Sequence, residues 1–299
     1  MKVETKRYHN PVALVRGVGD VGSAIAWRLF KAGFSVISHE NRQPRTIRRK
    51  MSFCDALWDG EAVLEGVQAV RVERMEDVLP IAQSQKGIAL YAGPYGALVQ
   101  TVCPDIIVDG RIQKFAKVEN MTEQAPLTIA VGPSFVAGQD VDFVIESCWG
   151  DNLGQVIAQG CASEPVSVPP EINGVGWERF VRAGQAGRFE SERDIGQHVN
   201  KGDVIGLLDE KTILAPITGY LRGLLHSGLS VVKDEKVCEI DPRESDAHFV
   251  GLAERPNEIS KGVMHAIKVF SATAEDAFFI KDIINQCAPG KFRNMSKMC

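Results

Sequence analysis

The chain has 299 residues, 44% of them hydrophobic and 24% charged, a globular balance that excludes whole-chain disorder, a collagen-like repeat and a coiled coil. Lys and Arg number 34 against 38 Asp and Glu, and the net charge of -4 argues against a general nucleic-acid binder. No apolar run approaches the roughly 18 residues that span a bilayer, and no apolar segment follows the polar start Met1 to Arg7. Neither a membrane span nor a secretory signal is expected, and the chain reads as cytoplasmic.

The first predicted strand is the apolar run Pro11 to Arg16. A glycine turn, Gly17-Val18-Gly19-Asp20-Val21-Gly22, leads into a helix whose apolar face is Ala24, Ile25, Trp27, Leu29 and Ala32. Gly33 stops the helix, and Phe34 to Ser38 forms the next strand, ending at His39-Glu40. Strand, glycine turn, helix and strand make a βαβ unit of the dinucleotide-binding kind. Gly17 allows the tight turn, Gly19 lets a phosphate approach the backbone, and Gly22 permits close helix packing. A diphosphate would rest on the helix N-terminus beside Asp20, and Glu40, 21 residues past Gly19, would meet ribose hydroxyls. The alternative is a tight turn that binds nothing.

Five basic residues fall within positions 42 to 50: Arg42, Arg45, Arg48, Arg49 and Lys50. They suit either an extra phosphate on a cofactor's ribose or a solvated, charged helix start. Further along, Val63 to Val72 reads as a strand pair, and Gly87 to Ala92 and Asp105 to Arg111 as buried strands. Buried strands of α/β sheets present their carboxyl ends to ligands, so Asp109 and Arg111 are site candidates as well as a possible simple salt bridge. Leu127 to Val131 and Asp142 to Glu146 are two more strands.

After a Pro- and Gly-rich linker, Glu164 to Gly174, the chain repeats itself at an offset of 32 residues. Ala183 matches Ala215, Gly187 matches Gly219, Gly196 matches Gly228, and Asp209 matches Asp241. Each copy holds short strands punctuated by turn residues. The repeat, with Ala-Pro-x-x-Gly at 215 to 219, resembles a biotinyl/lipoyl-like barrel-sandwich domain. The joining segment, Leu208 to Leu214, is short and lacks the methionines of a carrier hairpin, so no covalent biotin or lipoate is expected on Lys211. Asn257 to Phe270 and Ala274 to Cys287 read as helices, and Ala288 to Cys299 as a frayed tail.

The seven cysteines include no C-x-x-C, and the six histidines make no H-x-x-x-H or H-E-x-x-H. Reduced thiols and no metal site are expected. Ser134 lacks a G-x-S-x-G context. His39, beside Glu40, is the histidine that stands out.

In order along the chain, the segments at 16–36, 48–67, 106–112, 132–146, 152–160 and 214–225 resemble the bacterial selenium-dependent molybdenum hydroxylase system accessory family. The resemblance covers most of residues 11 to 270. It implies an accessory or maturation factor for a molybdenum-containing hydroxylase, with that hydroxylase and its maturation proteins as partners. The ligand would be a dinucleotide or molybdopterin-type cofactor, held at Gly17, Gly19, Asp20, Gly22 and Glu40, with Arg45, Arg48, Arg49, Asp109 and Arg111 completing the pocket. The family pattern has Arg, His and Arg where Trp149, Asp151 and Gln155 stand, and Ala where Gly22 stands.

The expected architecture is therefore α/β: a Rossmann-like nucleotide-binding domain at 8–165, a β barrel-sandwich hybrid domain at 175–243, and C-terminal helices with a tail at 244–299. Two other functions fit parts of the chain. An NAD(P)-dependent oxidoreductase would use the same turn, although no His or Lys stands in a recognisable acid/base motif. A structural adaptor would keep the Rossmann turn empty. No catalytic residue emerges from the sequence.

Overall fold

A computed structural model describes residues 10–113, 118–164 and 168–273. The apolar run after Pro11 forms β1 (Val12–Arg16), buried along its whole length because it lies mid-sheet with both faces covered. Strand alternation sorts its side chains: Ala13 and Val15 face one core layer, Val12 and Leu14 the other. Helix α1 (Asp20–Lys31) follows, and β2 (Ser35–His39) lies parallel to β1.

The short helix α2 (Ala56–Asp59) precedes the hairpin of β3 (Glu61–Leu64) and β4 (Val67–Val72). Then come α3 (Met75–Gln83), β5 (Ile88–Tyr91), α4 (Tyr95–Val102) and β6 (Ile106–Asp109). Strands β7 (Leu127–Val131), β8 (Phe143–Ile145) and β9 (Val156–Ile157) complete a nine-stranded sheet. Its order is β3-β4-β5-β2-β1-β6-β7-β8-β9. The inner pairs are parallel, and the edge pairs β3–β4 and β8–β9 are antiparallel.

The second half contains β10 (Phe180–Arg182), β11 (Gly187–Glu190), β12 (His198–Val199) and β13 (Val204–Leu208). Strands β14 (Lys211–Leu214), β15 (Gly219–Leu224), β16 (Ser230–Val231) and β17 (Lys236–Asp241) follow. They form two four-stranded sheets, β10-β17-β15-β12 and β14-β13-β11-β16, with antiparallel pairing throughout. The sequence repeat is visible in space. β11, β12 and β13 come from one copy; β15, β16 and β17 come from the other. The first strand of each copy pairs with the second strand of its counterpart, β11 with β16 and β12 with β15. Gly196 and Gly228, equivalent in the repeat, turn the chain with φ of +92° and +90°.

Helix α5 (Glu254–Thr273) returns to the first half and packs on α1, β7, β8 and β9. Its Ile259, Val263 and Ile267 share one buried cluster with Ile25, Leu29, Val131 and Ile145. The helix predicted at 274–287 and the tail at 288–299 lie outside the described residues, as does the polar start. No helix among the described residues is long and apolar enough to cross a membrane.

Both parts of the expected fold class are corrected by this architecture. The Rossmann-like assignment rested on a local unit, β1-α1-β2, and a local unit does not fix a sheet. After β2 the chain makes a β3–β4 hairpin, both sheet edges are antiparallel, and among the described residues no helix joins β6 to β7 or β7 to β8. That face is covered instead by α5, more than a hundred positions downstream of β8. The barrel-sandwich assignment rested on the repeat alone. The strands form two open antiparallel sheets of four, with β10 and β14, themselves 32 positions apart, at corresponding edges.

Candidate functional site

The glycine turn is filled by the chain's own groups. Gly17, at φ +102°, donates its N–H to His39 O at 2.8 Å, and Val18 N–H donates to Glu40 Oε2 at 3.3 Å. Asp20 opens α1: its Oδ1 accepts from Val21 N–H at 3.0 Å and its Oδ2 from Arg48 Nη1 at 2.9 Å. Burial works against the Asp20 charge, but Arg48 outweighs it and holds the carboxyl below its ordinary value. A carboxylate thus occupies the helix start where a diphosphate was expected, and like charge would repel one. Gly22 is needed for close approach, since a Cβ there would stand 2.1 Å from Gly17 O. At Gly19 the nearest atom to an added Cβ is Thr46 Oγ1, 3.6 Å away.

The carboxyl ends of β1, β2 and β6 gather several predicted residues. Asp109, 1% exposed, accepts from Arg111 Nε at 3.0 Å, and Arg111 packs against Gly17. Asp109 is also the register partner of Arg16, whose guanidinium lies 3.7 Å over the Tyr95 ring. His39 donates from Nε2 to Gly93 O at 2.8 Å, and burial lowers its pKa. So Gly17, Glu40, Asp109 and Arg111 do come together, in a cluster with Arg16, His39 and Tyr95 whose charges pair with one another, although the buried Arg16 Nε–H makes no hydrogen bond among the described residues.

The basic run goes elsewhere. Arg45 donates to Glu235 at 2.6 Å, Arg49 to Leu224 O at 2.9 Å, and Lys50 to Asp194 at 2.6 Å. Arg48 donates to Glu239 at 2.8 Å as well as to Asp20. Ile47 O accepts from Leu224 N–H at 2.7 Å, and the Ile47 side chain packs into the antiparallel core. Arg45, Arg48 and Arg49 are struts between the two halves, not an arm reaching for a ribose phosphate.

Beneath this strap lies a cleft of about 760 Å³ between the halves. Its floor comes from residues just past β6, β7 and β8, namely Ile112, Pro133 and Ser147 to Trp149. The N-terminus of α5, Ala253 to Pro256, forms one side. Seven cationic side chains line it against two carboxylates, Glu171 and Glu254. Arg48 is the strap residue already described. Arg179 and Arg182 belong to the segment of β10, Arg222 to β15, and Lys236 and Arg243 to the ends of β17. Arg255 comes from α5 and donates to Ser147 O at 2.6 Å.

Two carboxylates behind the wall hold it in place. Glu239 is fully buried and meets Arg48 and Arg179, with Arg222 Nε at 3.6 Å. Asp241 accepts from Arg243 at 2.6 Å and Arg222 at 3.1 Å. Burial opposes its charge, but the hydrogen bonds from Arg243 outweigh that and bring its pKa to about 2. Cation still exceeds anion at the wall. Burial and neighbouring Arg48 push Arg179 and Arg222 below their ordinary values, with Glu239 acting against them, and burial does the same to Arg255. The Nε–H groups of Arg179 and Arg222 are buried and meet no acceptor. Trp149 and Trp177, about half exposed, stand at the same cleft. A second cavity of about 790 Å³, beside Tyr95, is lined by Asp105, Glu119 and Glu123, and by no cation among the described residues. Among the described residues no group of His, Cys, Asp and Glu could hold a metal ion.

None of Arg179, Arg182, Arg222, Lys236, Arg243 and Arg255 was singled out from sequence. One usable sign was present: Glu239 and Asp241 interrupt the apolar strand Val237-Cys238-Glu239-Ile240-Asp241. Carboxylates at such positions require cations from elsewhere.

Fold and cleft define the class of protein: a mixed α/β sheet joined by a basic strap to a duplicated antiparallel unit, with a cationic cleft between them. Over 257 residues, 86% of the chain, the sequence is 38% identical to the uncharacterized protein YqeB of Escherichia coli (strain K12). The chain spans 47% of the length of that relative. No family model matches. Among solved structures, a succinylglutamate desuccinylase/aspartoacylase of Rhodobacter sphaeroides covers 80% of this chain and 87% of its own at 12% identity and a TM-score of 0.26. An aspartoacylase family protein of Mesorhizobium loti covers 78% and 84% at 13% identity and a TM-score of 0.24. The ectoine utilization protein EutE (DoeB) of Ruegeria pomeroyi covers 78% and 85%, also at 13% and 0.24. Scores of this size do not define a shared fold, and the activities in those names stay with those proteins.

The expected function is corrected. The similarity to YqeB carries no link to molybdenum. The turn that was to bind a cofactor's diphosphate, for maturation or for hydride transfer, presents Asp20 and Glu40 to it.

Proposed function

We propose that the chain is a small-molecule-binding protein whose ligand is a compact phosphorylated anion with two or more negative charges, held in the cleft between the halves. The observation that carries this reading is the pair Arg179 and Arg222. Both stand at the cleft wall, nearly buried, with Nε–H donors that make no hydrogen bond among the described residues, the Arg222 Nε lying 3.6 Å from Glu239. A buried donor without an acceptor is costly, and a phosphate oxygen would satisfy it with a charge-assisted bond. The N-terminus of the 20-residue helix α5 adds a favourable dipole at the same cleft. Its volume lies within the usual range for a ligand site.

Calorimetric titration with inorganic pyrophosphate, tripolyphosphate, ADP and citrate tests the reading. Binding of the phosphorylated compounds is expected, stronger than that of citrate, with R222M weakening it about tenfold or more. Binding of none of them, or unchanged affinity in R222M with a native circular dichroism spectrum, would overturn it.

A further inference from the structure

Lys236 differs from every other cation of the cleft. Arg48, Arg179, Arg222 and Arg243 each meet Glu239 or Asp241. Arg182 and Arg255 each donate to a backbone carbonyl, Asp234 O and Ser147 O. Among the described residues the Lys236 ammonium has neither kind of partner. Its Nζ stands 3.7 Å from the centre of the Phe180 ring, at the first position of β17. The charges facing it are Glu239 from its own strand, Arg179 and Arg182 from the segment of β10, and Arg48 from the strap. Burial, helped by those three guanidinium groups and opposed by Glu239, lowers the amine to about 8. A desolvated amine beside other cations is part neutral near physiological pH and then nucleophilic.

We infer that Lys236 is a nucleophilic amine, and that the cleft takes a phosphorylated aldehyde or ketone whose carbonyl carbon Lys236 Nζ attacks. The inference rests on the phosphate reading above. The arginines would hold the phosphate and leave the carbonyl end beside Phe180 and Lys236. The neutral amine adds to the carbonyl carbon, forming a C–N bond, and a proton passes from nitrogen to the former carbonyl oxygen. That oxygen then leaves as water. Amine and carbonyl give an imine and one water, with no oxidant or reductant consumed.

Pyridoxal 5′-phosphate, a small phosphorylated aldehyde, is a suitable probe, with borohydride to reduce the imine and peptide mass spectrometry to locate it. Lys236 is expected to label about tenfold or more faster than the other lysines, faster at pH 9 than at pH 7, and far less with pyridoxal lacking the phosphate. Inorganic pyrophosphate is expected to protect it, and K236R to remove the fast phase. Labelling spread evenly over the lysines, or a fast phase surviving in K236R, would overturn the inference. Calorimetry with pyrophosphate on the same preparation separates the two failures. Pyrophosphate binding without selective labelling sinks the lysine and leaves the phosphate reading standing. Selective labelling without phosphate binding or protection sinks the phosphate reading and, with it, the inference in this form.

Discussion

Arg48 and Glu239 form a two-pronged ion pair, Nε to Oε2 at 2.8 Å and Nη2 to Oε1 at 3.1 Å, across 191 positions of sequence. Glu239 is buried and Arg48 also holds Asp20 at the start of α1, so one guanidinium fixes how the two halves meet. Burial works against the Arg48 charge, but Glu239 and Asp20 outweigh it and raise its pKa.

Removing the buried charge is expected to cost far more than removing an exposed strut. E239Q leaves Arg48, Arg179 and Arg222 facing one another and should destabilise by about 3–5 kcal/mol. R45A breaks a pair whose arginine side chain is 42% exposed and should cost less than about 1 kcal/mol. Urea unfolding of both variants checks the ranking, and equal costs would show that Glu239 is not the keystone.

Acid should unfold the protein in two stages. Burial holds His39 below its ordinary value of 6.5, so the folded state binds fewer protons there, and stability falls as pH drops below about 6.5. Asp241 sits at about 2 against an ordinary 3.8, so its contribution is present above about 3.8 and is lost as pH falls toward 2. The urea midpoint measured against pH should show both declines, and H39N should remove the first.

Ligand binding should divide the arginines by burial. R222M removes a nearly buried donor and should weaken pyrophosphate by about 1.5–3 kcal/mol. R182A removes an exposed one and should cost about 0.2–1 kcal/mol. Raising the salt should erode the Arg182 contribution first, because exposed charges are screened more than buried ones. Titrations at two ionic strengths decide it.

G22A should destabilise by about 1–3 kcal/mol, since the new Cβ would meet Gly17 O at 2.1 Å and the turn would have to open. A thermal melt of G22A matching that of the unmodified protein would refute the point.

The sequence was readable where structure is local. Pro11 to Ser38 carries its own period and punctuation, and β1, α1 and β2 stand where these place them. The repeat was readable because Gly196 and Gly228 mark equivalent turns. What could not be read was anything assembled over distance. The pairing of β1 with β6, the cover supplied by α5 and the pairing of β10 with β17 all depend on partners far along the chain. The cleft was hidden for the same reason. Its cations stand at 48, 179, 182, 222, 236, 243 and 255, and no local window contains the excess of charge. The run at 42 to 50 was conspicuous for the opposite reason, and its Arg45, Arg48 and Arg49 are spent as struts.

The position of α5 governs the order in which this protein can be made. A ribosome delivers the nine-stranded sheet first, yet Val131, Ile145 and Leu29 acquire their cover only when Ile259, Val263 and Ile267 emerge. The N-terminal sheet therefore completes its packing on this face only after α5 has emerged. In the duplicated β unit, β11 can pair with β13 as soon as that strand emerges, but its other edge waits for β16. Between the emergence of β9 and that of α5, the nascent chain carries this apolar surface without its native cover.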